Sequence, residues 1–150
     1  DPIRGSIVKA YKGSGVLKTT LDSPLAGIAL PKLPDDIGAL HKYQLECELA
    51  MNSAHHFSII EAIVPKMSGM RKSGSTALDM ANMAMGRRVV LVSDSLEPHD
   101  LAAGLLIYRE AGGVVTNLTG CEASLSTKSI LAGPKNLHQE VMGMLKTLSL

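Results

Sequence analysis

Tryptophan is absent from this chain, and aromatic residues make up only 3% of it. That is too few for the aromatic platforms on which single-stranded nucleic acids stack. A dominant charge is missing as well: 15 basic residues against 14 acidic leave a formal charge of +1. A protein that grips nucleic acid through a basic face needs a larger excess, so no nucleic-acid partner is expected. No uncharged apolar run reaches the roughly 18–20 residues of a membrane helix, and no membrane partner is expected either. Asp1-Pro2-Ile3-Arg4-Gly5-Ser6 lacks the basic-then-apolar order of a secretion signal, so the expected setting is cytoplasmic. Cysteine is scarce. Cys47 and Cys121 stand far apart, with no CxxC spacing and no cluster of four zinc ligands. They read as small buried residues of a reducing compartment.

What the chain does have is 45% hydrophobic residues over a length of 150 and a mean hydropathy of +0.16. That is enough for one domain with its own core, and too apolar for a disordered segment. The first thirty-odd residues are broken by Gly5, Gly13, Gly15, Gly27, Pro24, Pro31 and Pro34, and read as loops around short strands, the best being Ala26–Leu30. From Asp36 to about Ala54, Ile37, Leu40, Leu45 and Leu49 recur at helical spacing, with Asp35 or Asp36 as the cap. Phe57–Val64, ended by Pro65, fits a strand or a helix. Ser73-Gly74-Ser75 introduces a helix over Thr76–Met85 that stops at Gly86. Val89–Ser93 reads as a strand buried on both faces. Pro98-His99-Asp100 opens a helix reaching Ala111, closed by Gly112-Gly113. Val114–Asn117 and Ser129–Ala132 are further strands, and a terminal helix starts at Asn136. The expected class is α/β (α+β layered), with a single mixed sheet carrying all four strands and flanked by helices.

Three places carry candidate chemistry. Asp1-Pro2-Ile3-Arg4-Gly5-Ser6 offers a carboxylate and backbone amides that suit a hard cation beside a phosphate, or else is simply the frayed start of a chain. Ser73-Gly74-Ser75-Thr76 at a helix start suits an anion, and equally suits ordinary capping. Asp100 opens a helix, where an aspartate is ordinarily a cap, but that helix is apolar on nearly all sides, where a carboxylate is costly unless paired or metal-bound. His99 beside it reads as neither ligand nor substrate contact. His41, His55, His56 and His138 read as surface or boundary residues, and Met80, Met83 and Met85 as core packing.

Three blocks, Ser73-Gly74-Ser75-Thr76-Ala77-Leu78-Asp79-Met80-Ala81 with Gly86, Pro98-His99-Asp100-Leu101-Ala102-Ala103-Gly104, and Glu110-Ala111-Gly112-Gly113-Val114-Val115-Thr116, together resemble the carboxy-terminal half of inositol monophosphatase-like proteins. That superfamily of magnesium-dependent, lithium-sensitive phosphatases also holds fructose-1,6-bisphosphatases. Asp1–Ser6 resembles its Asp-Pro-Ile-Asp-Gly-Thr metal motif, and Lys12-Gly13-Ser14-Gly15 a later Gly-rich turn. The resemblance implies an enzyme, a Mg²⁺-dependent phosphoric monoester hydrolase acting on a small phosphorylated substrate and forming a homodimer. It implies metal ligation by the Asp1 carboxylate, the Ile3 carbonyl and Asp100, the last standing in a His-Asp pair where the family has Trp-Asp. Substrate would be held by Gly5, Ser6, Ser75 and Thr76, with Asp94 the nearest match to a substrate-binding acid after a one-residue adjustment. Ions bound there would activate a water and stabilise charge on the phosphoryl and leaving oxygens.

Two departures bear on activity. Arg4 stands where the family motif has its second acid, and the family's upstream metal-binding glutamate has no counterpart in these 150 residues. The expectation is therefore a single domain, the carboxy-terminal part of a longer phosphatase whose amino-terminal layer is missing. The 150-residue chain alone is then expected to be inactive. The alternative is a non-catalytic regulatory or binding relative of the family.

Overall fold

Side-chain alternation along the strands decides the layering of the computed structural model, which describes residues 1–52 and 55–148. Strands β1 (Ser6–Ala10), β2 (Val16–Thr20) and β3 (Ile28–Ala29) make a small antiparallel sheet. Strands β4 (Gln44–Glu48), β5 (Gly69–Arg71), β6 (Val90–Ser93), β7 (Val114–Thr116) and β8 (Ile130–Gly133) make a mixed sheet in the order β5-β4-β6-β8-β7. Within it β4 runs parallel to β5 and β6, and β8 antiparallel to β6 and β7. Successive residues of a strand point to opposite faces. Leu45, Cys47, Val90, Val92 and Leu131 therefore pack with helices α1 (His56–Ile63) and α4 (Lys135–Leu145). Leu91, Ile130 and Ala132 pack on the other face with α2 (Thr76–Ala84) and α3 (Pro98–Glu110). With both faces covered, every residue of β6 is buried, as its unbroken apolar run requires. The small sheet lies against the outer side of α2 and α3, where Val8, Ala10 and Val16 join their core.

The helices that frame the candidate site begin and end for local reasons. Ser75 caps α2, its Oγ accepting from the Leu78 amide at 3.3 Å. Gly86, at φ +71°, ends it in a left-handed conformation that glycine adopts without a Cβ clash. At the start of α3, Glu97 and Asp100 form a reciprocal capping box. Gly104 lets α3 approach α2 closely, with the Met80 side chain occupying the space a Cβ would need. The turn between β1 and β2 is pinned to α3 by the Glu110 carboxylate, which accepts from the Gly13 amide at 2.7 Å and the Gly15 amide at 2.9 Å. These two donors hold the Glu110 carboxyl below its ordinary pKa.

The layered α/β class and the mixed sheet agree with the sequence expectation, and several elements do not. The helix expected from Asp36 gives way to a single 3-10 turn at Leu40–Lys42 followed by β4; its expected end near Ala54 lies outside the described residues. Asp36 does not cap a helix. Its Oδ1 accepts from the Gly38 amide two residues on, and Gly38 sits at φ +95°, which no right-handed helix tolerates. The strand expected at Ala26–Leu30 shrinks to β3, an edge of the small sheet rather than a member of the mixed one. Pro24 and Pro31 flank it and cannot donate to a ladder. Phe57–Val64 resolves as helix. Cys47 is buried as expected but Cys121 is exposed. His56 and His138 are buried rather than at the surface. His138 Nε2 lies 3.0 Å from Thr116 Oγ1, which supplies the partner a buried imidazole needs.

Candidate functional site

Between the small sheet and the α2–α3 pair lies a cleft of about 590 Å³. Asp1, Ile3, Ser6 and Ser75 line it together, over an apolar floor that includes Ala81 and Ile107. Residues expected from opposite ends of the sequence motif thus meet in one place. The turn before β1 is closed on itself. The Gly5 amide donates to the Pro2 carbonyl at 3.3 Å and the Ser6 amide to the Asp1 carbonyl at 3.1 Å. Asp1 is held by Arg4, whose Nη1 lies 2.8 Å from Asp1 Oδ2 and whose amide donates to Oδ1 at 3.2 Å.

The other expected residues sit elsewhere. Thr76 is buried, its Oγ1 2.9 Å from Ser93 Oγ, and it ties α2 to β6. Asp94 accepts from the Ala50 amide at 2.6 Å. Asp100 is not among the residues lining the cleft; its Oδ2 accepts from the Glu97 amide at 2.9 Å, and its Oδ1 lies 3.7 Å from His99 Nε2. Among the described residues no group of three or more His, Cys, Asp or Glu is placed to hold a metal ion. Mg²⁺ demands a near-octahedral shell of oxygens. With Asp1 spent on a guanidinium and Asp100 on a helix cap, the residues of this chain do not by themselves fit that ion.

A further ionisable cluster lies between β4 and the start of α2. Glu46 and Glu48 share the face of β4 that looks toward α2, because residues two apart on a strand point the same way. Glu48 Oε1 accepts from the Gly74 amide at 2.8 Å and from the Ser73 amide. Asp79 Oδ2 accepts from Ser73 Oγ at 2.8 Å. Burial, opposed by the Ser73 hydrogen bond and reinforced by Glu46 and Glu48, pushes the Asp79 carboxyl up to about 6. Glu46 is almost wholly buried beside Arg88, with Nε to Oε1 at 2.9 Å. Its pKa is raised because burial outweighs the attraction of Arg88 and Arg71. The signal was in the strand alternation of Leu45-Glu46-Cys47-Glu48-Leu49.

The sequence profile of the inositol monophosphatase family matches residues 1–149. The chain belongs to that family. It is 31% identical over 159 aligned positions to a putative Nus factor SuhB of Neisseria meningitidis, covering 99% of this chain and 54% of that protein. It is 33% identical over 99 residues to an inositol-1-monophosphatase of Mesorhizobium japonicum, covering 64% of this chain and 37% of that one. Among solved structures, the extragenic suppressor protein suhB of Bartonella henselae superposes with a TM-score of 0.82 at 27% identity, over 97% of this chain and 54% of that one. This family member spans about half or less of the length of these relatives. No helix among its described residues is long and apolar enough to cross a membrane.

Proposed function

We propose that this chain is the carboxy-terminal part of a phosphatase that hydrolyses a small phosphate monoester of the inositol monophosphate or fructose-1,6-bisphosphate type with Mg²⁺. Residues 1–150 alone then turn over little or no substrate. Family membership supports the reaction class, and the Arg4–Asp1 ion pair carries the second half of the reading. In the longer protein Asp1 and the Ile3 carbonyl, which line the cleft, would supply part of the metal shell, Asp100 would join them only by giving up its cap on Glu97, and acids from outside these residues would supply the rest. Ser6 and Ser75, which line the cleft, would hold the substrate phosphate there, and Gly5, Thr76 and Asp94 complete the proposed substrate-binding set. A guanidinium about 4 Å from a divalent ion repels it by several kcal/mol at an effective dielectric near 20. Solvent at the 63%-exposed Arg4 side chain screens part of that, and what is left still weakens Mg²⁺ binding. A homodimer in the cytoplasm is the proposed setting.

Arg4 also favours a second reading, a regulatory relative that binds without hydrolysing, in line with relatives named Nus factor SuhB. Phosphate release in millimolar Mg²⁺ from a panel of inositol and sugar phosphates separates the readings. The 150-residue chain should be silent, and a longer natural protein with an upstream layer should be active. Robust turnover by residues 1–150 that Asp100→Asn abolishes would overturn the ligand count. A longer protein silent on the whole panel would favour the regulatory reading.

A further inference from the structure

We propose that Arg4, Arg87, Arg88 and Asn82 form a metal-independent binding site for a phosphate group. The four residues line a cavity of about 320 Å³, large enough for a phosphate with a small organic appendage. The backbone places them there. Gly86 reverses the chain at the end of α2, and the Arg87 amide donates back to the Asn82 carbonyl at 2.9 Å. Arg87 and Arg88 thereby stand beside the last turn of α2, and Arg4 reaches the same cavity from the turn before β1.

Three guanidiniums and no carboxylate line this space. Arg88 turns its Nε toward Glu46, and Arg4 one Nη toward Asp1, but each guanidinium carries five N–H donors and keeps others available. Arg87 is exposed and has no carboxylate partner among the described residues. Arginines held side by side repel one another unless an anion sits between them, and their planar forks match phosphate oxygens in bidentate fashion. The partial negative charge at the end of α2, about half an elementary charge, is outweighed by three full positive ones.

Asn82 supplies an independent observation. It is only 8% exposed, it lines the cavity, and its carboxamide makes no hydrogen bond to another described residue. Its amide atoms are open to the cavity rather than sealed in the core, so its NH₂ donors are free to meet a ligand there. A phosphate oxygen in the cavity would accept from its NH₂ group. The inference stands on this geometry and does not depend on the phosphatase reading.

Calorimetric titration of the 150-residue chain tests it, with inorganic phosphate and glycerol phosphate as separate probes and with EDTA present throughout. Arg87→Ala removes an exposed side chain and should leave the far-UV circular dichroism and melting unchanged. It should weaken binding at least about tenfold, as expected for a lost charge-assisted hydrogen bond; Arg87→Lys should recover part of the loss. Binding of either probe with that dependence supports the site, and a preference between them tells a free phosphate from an ester. Lys146→Ala, which removes an exposed cation at the end of α4 on the other face of the mixed sheet, should leave the affinity unchanged. No binding of either probe at 10 mM, about ten-thousandfold above the dissociation constant of a roughly micromolar site, would overturn the proposal. So would equal affinity in Arg87→Ala, or an equal loss in Lys146→Ala.

Discussion

Removing the Arg88 side chain leaves a nearly fully buried carboxylate without its cation. In the folded chain Arg88 Nε lies 2.9 Å from Glu46 Oε1, and the two side chains are 32% and 1% exposed. Deleting one partner of a buried pair costs about 3–5 kcal/mol, because the survivor is stranded in low dielectric. Arg88 is partly solvated, so the pair is less than fully buried and the lower end applies, about 2–3 kcal/mol. For a chain of this length, that lowers the melting temperature by roughly 5–10 °C. Urea unfolding of Arg88→Ala followed by far-UV circular dichroism measures the loss directly, and suits a protein without tryptophan. The pH dependence gives a second readout. Burial already raises the Glu46 carboxyl above its ordinary 4.5 in the folded state. An acid raised on folding costs stability once the unfolded form ionises, so the penalty is absent below about 4.5 and grows as pH rises through the folded value. Losing Arg88 raises that value further. The deficit of Arg88→Ala should therefore be largest near pH 8 and shrink by half or more near pH 4.5. Adding Glu46→Gln should recover most of it. A deficit below about 0.5 kcal/mol at pH 8, the scale of an ordinary surface substitution, would refute the burial argument. So would a deficit independent of pH.

Asp79 obeys the same linkage, with Arg88 and the Ser73 hydrogen bond offsetting only part of the cost of burial. Its pKa of about 6 in place of 3.8 means the folded state loses roughly 2–3 kcal/mol as pH rises from 4 to above 6. Asp79→Asn, which keeps an acceptor for Ser73 Oγ, should be more stable by about 1–3 kcal/mol at pH 8 and equal to the parent near pH 4; a variant less stable at pH 8 would sink the reading. Gly104→Ala tests the approach of α3 to α2, since its Cβ would lie 2.6 Å from Met80 Sδ and 3.0 Å from Met80 Cβ. Better helix propensity returns about 0.5–1 kcal/mol and overpacking costs about 1–3, so a net loss of about 1–2 kcal/mol is expected in denaturant melts. A stabilised variant would show that Met80 moves aside freely.

How legible this was in the sequence depended on whether a signal was local. The α2 and α3 boundaries were readable because Ser75, Gly86, Glu97 and Gly112 act through the backbone within a turn of themselves. β6 was readable because four successive buried residues leave little alternative. The signal for β4 is ambiguous, because Leu45 and Leu49 satisfy helical spacing, while Leu45, Cys47 and Leu49 satisfy strand spacing equally well. Gly38 and the Asp36 turn decided between them. The cleft was partly legible, since motif residues Asp1, Ile3, Ser6 and Ser75 do meet. The use of Asp100 as a cap is local, three residues from Glu97, and is the ordinary role of an aspartate at a helix start; the convergence of Arg4 on Arg87 and Arg88 was not legible, because it depends on how distant segments pack.

Arg4 connects the proposed metal site with the proposed phosphate cavity, so one substitution should move them in opposite directions. Its guanidinium occupies the Asp1 carboxylate and also lines the cavity with Arg87, Arg88 and Asn82. Arg4→Asp releases Asp1 and adds a second acid beside it, which raises the number of oxygens available to a hard cation. The same change removes one of three positive charges from the cavity and puts a negative one nearby. At an effective dielectric near 20 a unit charge some 6–8 Å from a bound phosphate is worth about 2–3 kcal/mol, before screening, so reversing it acts twice. Mg²⁺ binding by calorimetry should therefore strengthen at least about tenfold, while metal-free phosphate binding weakens by a similar factor. Because the two effects have opposite signs, general loss of folding cannot imitate them. If Arg4→Asp weakens both ligands, or leaves phosphate untouched, Arg4 does not belong to the cavity. If Mg²⁺ affinity stays unchanged, the Arg4–Asp1 pair is not what keeps the ion away, and the acids missing from this chain must account for it alone.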